Sequence, residues 1–304
     1  RGYAAGNPMN NLVKRFHTLS PNMQGAVFVL LGTGFFVLTD IVVKFAGQRF
    51  HPAQMSLFRY GVGFILLAPL FISTGHERLK TKRLKLHFVR AIIASIGQAG
   101  MFYAVIHLQL ADATAMTFTR PLFLTILAIF ILKETVGIHR WSATVVGFIG
   151  VIVMMRPFGG EIDSAWGIAL FTAFLFAVGL IIIRVLGRND PPGTILFWYH
   201  IFGAIIFAGP AAYVWVNPTP DEWVQLLLIA TFTAIGMNFF VRGFSVGESS
   251  LMGTMEYTRL VFAALAGYFI FTEVPDIWTW IGAVIIVSAT LYITHREAKI
   301  KRTS

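Results

Sequence analysis

Apolar blocks about as long as a bilayer is thick, such as Gln24 to Lys44 and Ile277 to Thr294, constrain this chain more than any other feature. A run near 20 residues matches the roughly 30 Å hydrocarbon core. Apolar residues make up 56% of the 304 positions and charged ones 12%, where an ordinary soluble domain carries roughly a quarter charged residues. The longest polar stretches are the first 23 residues, Gly75 to His87 and a short tail after His295, so one bundle takes up nearly the whole chain. Reading apolar runs against turn and charge signals predicts spans near 24–46, 54–74, 88–108, 112–132, 138–156, 164–186, 193–216, 223–242, 249–271 and 277–295. The breaks carry their usual punctuation: His51-Pro52, Arg156-Pro157 with Gly159-Gly160, Asp190-Pro191-Pro192-Gly193 and Asn217-Pro218-Thr219-Pro220.

The net charge of +10 is distributed as a membrane protein requires and needs no nucleic acid to explain it. Lys14, Arg15, the segment Arg78 to Arg90 and the C-terminal Arg296, Lys299, Lys301 and Arg302 fall on one side if both termini are cytoplasmic. Lys44, Arg49 and Arg156 are nearly all that falls on the other, so the Lys/Arg bias predicts cytoplasmic termini in an inner (plasma) membrane. Trp166, Trp215, Trp223, Trp278 and Trp280 then gather at the outer boundary and Trp141 at the inner one, and are read as interface anchors. The chain opens on Arg1 without a secretory cleavage pattern; Met9 reads as a start, which would leave residues 1–8 foreign to it. There is no Cys, which removes disulfides and thiolate sites.

Sliding the segment from Met116 against the segment from Met255 reveals a repeat at one fixed offset. Met116 meets Met255, Thr119 meets Thr258, Arg120 meets Arg259, Phe123 meets Phe262, Glu134 meets Glu273 and Trp141 meets Trp280. Earlier parts match more weakly, with Lys44 against Arg184, Pro52 against Pro192 and Phe58 against Trp198. Each half holds five spans, and an odd number turns the second half upside down relative to the first. The expected organisation is an all-α membrane protein: a tail over 1–23, one five-helix repeat over 24–157, an inverted one over 163–295, and a cytoplasmic tail over 296–304. Carriers of this plan hold substrate near the midplane between the repeats and work by alternating access.

The motifs Leu110-Ala111-Asp112-Ala113-Thr114-Ala115 and Phe118-Thr119-Arg120-Pro121-Leu122-Phe123, Glu134 with Trp141 and Gly147, and Tyr257-Thr258-Arg259-Leu260 with Glu273 and Gly282 carry a family resemblance. The chain resembles the EamA family of the drug/metabolite transporter superfamily over nearly its whole length. That resemblance implies ten helices in two repeats and transport of amino acids, vitamins or nucleotide-like cofactors. Members it is similar to are linked to riboflavin or S-adenosylmethionine uptake and others to amino-acid export, and the motifs do not choose among them.

An ionisable side chain at mid-membrane costs roughly 2.5 to 3.5 kcal/mol on insertion scales, so each one needs a partner or a wet cavity. Arg120 and Arg259 sit mid-span as mates in the repeat. Glu256 lies three residues before Arg259, the spacing of a helical ion pair, whereas Thr117 takes that place before Arg120. Arg120 is therefore the better candidate for a substrate carboxylate or phosphate, against the alternative of a pair with a neighbouring helix. Pro121 leaves the Thr117 carbonyl without its helical donor, which kinks the span or exposes a polar atom. Tyr103, Trp198 and Tyr257 are candidates for a flat substrate ring, although packing is the commoner role for such residues. Asp40, Lys44 and Arg59 read as a cluster closing the outer side, a gate.

No metal-binding His-Glu-x-x-His, nucleophile elbow, diphosphate motif or Gly-rich phosphate loop is present, so neither catalytic residues nor a cofactor or metal are expected. The reading is a secondary carrier, an exporter or exchanger, of a small anionic or zwitterionic metabolite such as an amino acid. A vitamin or cofactor uptake carrier of the same fold is the alternative. A lipid-modifying membrane enzyme is the rival class, and it would want acids or histidines clustered near one interface. Expected partners are the small-molecule substrate and the lipid bilayer, with a homodimer left open.

Overall fold

The computed structural model describes residues 18–75, 79–132, 137–155, 163–247 and 249–303. Lys14, Arg15, Arg78, Glu134, Arg156, Pro157, Gly159 and Gly160 lie outside the described residues. Thirteen α-helices make up the described structure: α1 (Pro21–Ala46), α2 (Pro52–Leu66), α3 (Ala68–Thr74), α4 (Leu84–His107), α5 (Leu110–Thr117), α6 (Arg120–Leu132), α7 (Ile138–Met155), α8 (Ser164–Leu186), α9 (Pro192–Tyr213), α10 (Pro220–Val246), α11 (Ser249–Glu256), α12 (Thr258–Phe271) and α13 (Ile277–Thr303). They form ten membrane-crossing segments, because α2 with α3, α5 with α6 and α11 with α12 each make one broken crossing. Among the described residues, α1, α4, α8, α9 and α10 are each long and apolar enough to cross a membrane unbroken.

Helix starts follow the capping chemistry of the loops. Pro occupies the first turn of α1, α2, α9 and α10, where its missing N–H costs nothing. Ser20, His51 and Asp163 accept from backbone N–H groups of the first turns of α1, α2 and α8, and Thr219 with Glu222 forms a capping box on α10. The last helix runs on to Thr303 where a tail was expected from residue 296, since Arg, Glu, Ala and Lys are good helix formers once the apolar run ends.

The two breaks inside the fourth and ninth crossings are one feature written twice. Thr119 Oγ1 donates to the Met116 carbonyl at 2.7 Å, and Thr258 Oγ1 donates to the Met255 carbonyl at 2.6 Å. A hydroxyl takes the carbonyl that a helical N–H would otherwise engage, and the helix axis bends there. In the first half Pro121 adds to the break, and the Thr117 carbonyl it frees is taken by Arg120 Nε at 3.0 Å rather than left facing the cavity.

The packing scheme obeys the repeat. Crossing one lies on crossing eight (α1 on α10), and its counterpart, crossing six on three, is α8 on α4. The pairs α2 with α9, α5 with α12 and α7 with α13 join each crossing to its own mate. These contacts map onto one another under an inverted two-fold, as do those of α10 on α2 and α9 on α4. Glycines allow the closest approaches: a Cβ on Gly32 would lie 3.0 Å from the Gly236 carbonyl, and one on Gly282 would lie 2.7 Å from the Gly150 carbonyl. The outer face is apolar, with Ile65, Ile72, Phe130 and Phe269 largely exposed as lipid requires. Trp141, Trp215, Trp223, Trp278 and Trp280 are also exposed, and Trp166 is partly buried against the core.

Candidate functional site

Where the halves meet, a cavity of about 130 Å³ is lined by Asp40, Arg59, Gln98, Thr117, Arg120 and Arg259, with Phe36, Phe102 and Phe176 among its apolar walls. It continues into a larger chamber of about 290 Å³ between α2, α4, α8, α9 and α10, whose walls share Phe36, Arg59, Gln98, Arg120 and Phe176. A third recess of about 170 Å³ lies on the other side of Arg120, walled by Thr117, Glu256 and Tyr257 among others.

Two ion pairs bridge the halves at this junction. Arg259 on α12 reaches Asp40 on α1, with Nη2 to Oδ2 at 2.7 Å, and its guanidinium lies 5.6 Å from the centre of the Phe36 ring. Arg120 on α6 reaches Glu256 on α11, with Nη2 to Oε1 at 3.0 Å. The expected pairing of Glu256 with Arg259 is thereby corrected. Side chains three apart face each other only along an unbroken helix, and the break at Tyr257 removes that alignment. Arg120 does have an acid, from the other half. Thr117 turns its own hydroxyl to the Thr114 carbonyl at 2.7 Å.

The anticipated gate divides. Lys44 pairs with Glu273 and donates to the Leu108 carbonyl, at the end of the bundle that carries the α1–α2 turn. Glu273 also accepts from Leu110 N at 2.8 Å and so caps α5. It reaches that position because Thr272 adopts a left-handed φ of 57° and turns the chain off α12, and because Gly267 leaves room: a Cβ there would lie 2.8 Å from Glu273 Oε2. Asp40 and Arg59 belong to the central cavity instead of this cluster. Arg59 donates to the Tyr199 hydroxyl at 3.2 Å and stands 5.2 Å from the Tyr60 ring centre.

Two of the aromatic candidates are not placed on these cavities. Tyr103 stacks on His107 at 3.9 Å, since positions four apart on α4 share a face. Trp198 donates its indole N–H to the Leu79 carbonyl at 2.9 Å and stacks on Phe202. Tyr257 packs on Phe118 with ring centres 4.8 Å apart, at the edge of the third recess. Tyr199, an aromatic of the same span as Trp198, lines the larger chamber, and Phe36, Thr39, Arg90 and Thr233 join the cavities with no motif in the sequence to mark them. Arg90 follows directly on the basic loop but lies inside the third span, and Glu273 stands in the sequence as the repeat mate of Glu134 and a position of the family resemblance.

Both ends of the bundle are tied across the halves as well. On one side Arg49 pairs with Glu222 at 2.7 Å, and the Gln54 side chain exchanges two hydrogen bonds with the Val216 backbone. On the other, Asp190 accepts from Thr81 Oγ1 and is bonded to His87 Nε2, both at 2.9 Å.

Ten crossings, an inverted repeat and a charged cavity lined by both halves define a multi-pass membrane transporter. The chain belongs to the EamA-like transporter family, whose model matches residues 23–156 and again 164–295. It is not an enzyme. It is 31% identical to an S-adenosylmethionine uptake transporter of Rickettsia prowazekii (strain Madrid E), over 96% of this chain and 97% of that protein. It is 26% identical to a riboflavin transporter of Vibrio cholerae serotype O1, over 92% of this chain and 96% of the relative. A solved crystal structure superposes with a TM-score of 0.61 over 92% of this chain and 98% of its own, at 15% identity, a likeness of fold alone.

Proposed function

We propose that the protein is a secondary uptake carrier for a zwitterionic metabolite of the S-adenosylmethionine kind, working by alternating access in a bacterial inner membrane with both termini cytoplasmic. One observation carries the reading: the pairs Arg120–Glu256 and Arg259–Asp40 both bridge opposite halves, and an arginine of each lines the central cavity. A substrate bearing a cation and an anion can enter such a site by exchanging ion-pair partners, so every buried charge keeps a counterion. A ligand of one sign would strand one. Loosening contacts between the halves as substrate binds is what a carrier needs, because a ligand shifts a conformational equilibrium only by its differential affinity for the two states. The aromatic walls Phe36, Phe102 and Phe176 suit a flat ring. The name carried by the relative in Rickettsia prowazekii agrees with this chemistry. The cytoplasmic placement of the termini rests on the Lys/Arg bias.

Purified protein in liposomes tests the reading. Labelled S-adenosylmethionine should accumulate saturably, compete with unlabelled S-adenosylmethionine, and be indifferent to excess riboflavin. Uptake no greater than in empty liposomes, together with riboflavin counterflow, would overturn it in favour of the vitamin.

A further inference from the structure

With both cavity acids already engaged, the unbalanced positive charge of the site lies elsewhere. Asp40 is committed to Arg259 and Glu256 to Arg120. Arg59 and Arg90, which both line the larger chamber, have no carboxylate within ion-pair distance among the described residues. Their contacts are neutral. Arg59 donates to the Tyr199 hydroxyl, and Arg90 donates Nη1 to the Ile195 carbonyl at 3.2 Å while its guanidinium lies 4.7 Å from the centre of the Tyr199 ring. One tyrosine thus carries two guanidinium groups. Arg90 is 7% exposed, and its Nε is buried without a hydrogen-bond partner. Tyr199 accepts from Arg59 and also from the Tyr60 hydroxyl at 3.1 Å, which leaves its own proton for a third partner.

We infer that the Arg59–Arg90–Tyr199 chamber binds the carboxylate end of the transported metabolite, leaving the bridging pairs at Asp40 and Glu256 to meet its cationic end. This rests on the zwitterionic reading above and extends the anion site from Arg120, which also lines the chamber and is released when the cationic end takes Glu256, to Arg59 and Arg90. Two desolvated guanidinium groups sharing a largely apolar chamber repel one another, and an anion between them relieves both the repulsion and the missing hydrogen bonds. A carboxylate offers two oxygens with lone pairs for several donors, which Arg59 on α2, Arg90 on α4 and Tyr199 on α9 supply. The chamber joins the central cavity through Arg59 and Gln98, so a single extended molecule can occupy both.

Binding of S-adenosylmethionine and of its decarboxylated analogue to the purified protein separates the ideas. The parent should prefer the carboxylated form by about 10- to 100-fold, the range expected for charge-assisted hydrogen bonds. Arg59→Gln and Arg90→Gln should each shrink that ratio toward one, and Arg59→Lys and Arg90→Lys should give intermediate ratios, which keeps the test alive if a Gln variant does not fold. A ratio unchanged in the folded variants would overturn this inference while the proposed function stands. If the parent binds neither compound, the proposed function falls, and malonate becomes the probe. Thermal stabilisation by malonate in the parent, lost in the arginine variants, would still support an anion chamber, and equal shifts in all of them would overturn it.

Discussion

Replacing Glu273 with Gln isolates the closure at one end of the bundle. The Lys44 and Glu273 side chains are 14% and 13% exposed, so the ammonium is mostly dehydrated. Removing one partner of a fully buried pair costs about 3–5 kcal/mol. Here Lys44 keeps the Leu108 carbonyl, and a Gln oxygen can still accept from Leu110 N, so about 2 kcal/mol should be lost. If the pair forms only when this end is closed, the closed state loses that amount relative to the open one, a shift of about 30-fold. The chain has no cysteine, so Thr39→Cys on the cavity wall gives a single thiol. An impermeant maleimide applied to either face of a sealed vesicle, reacting slowly relative to opening and closing, reads the population open to that face. Glu273→Gln should accelerate labelling about 30-fold from the face carrying the α1–α2 turn, and not from the other. With the proposed orientation that face is the periplasmic one. Equal labelling rates with and without Glu273→Gln, accompanied by a lower melting temperature, would refute gating and leave the pair as a static tie.

Two further outcomes follow from the contacts across the halves. Arg120→Gln and Glu256→Gln should be coupled by about 1–2 kcal/mol in a double-mutant cycle of unfolding, whereas Arg259→Gln and Glu256→Gln should add to within about 0.5 kcal/mol. Gly282→Ala should destabilise by about 1–3 kcal/mol, because its methyl would meet the Gly150 backbone carbonyl, while Gly34→Ala, with open space around it, should fall within about 0.5 kcal/mol of the parent. Thermal melts in detergent measure both glycine variants.

The crossings were readable in the sequence because lipid tolerates few alternatives: a backbone with no water to bond must be helical, and its side chains must be apolar for the thickness of the membrane. The repeat was readable because Met116, Thr119 and Arg120 recur in order at Met255, Thr258 and Arg259. What the sequence hid was pairing. Spacing rules apply along one continuous helix, and every ion pair in the site joins helices distant in the chain: Asp40 with Arg259, Lys44 with Glu273, Arg120 with Glu256. The fourth crossing advertised its break through Pro121, but the ninth has Leu260 at that place and breaks through Thr258 alone, with no punctuating residue to signal it. Arg90 was obscured by its neighbours, since a basic loop just before a span draws the eye to topology instead of to the buried arginine within it.

The interlacing of the halves also governs how such a chain can be made. Nearly every extensive helix contact joins an early crossing to a late one: α1 waits for α10, α4 for α8, α2 for α9, α5 for α12 and α7 for α13. A ribosome at the middle of the message has released five spans into the bilayer with Asp40, Arg120 and Lys44 all lacking the counterions they end with. The first half therefore enters the membrane as an unfinished surface, and its charges must stay hydrated or borrow lipid headgroups during synthesis. The three pairs can form only once Glu256, Arg259 and Glu273 have been synthesised, after the spans they tie have been made. A chain stopped just short of Glu256 would retain most of the hydrophobic mass and none of the three pairs.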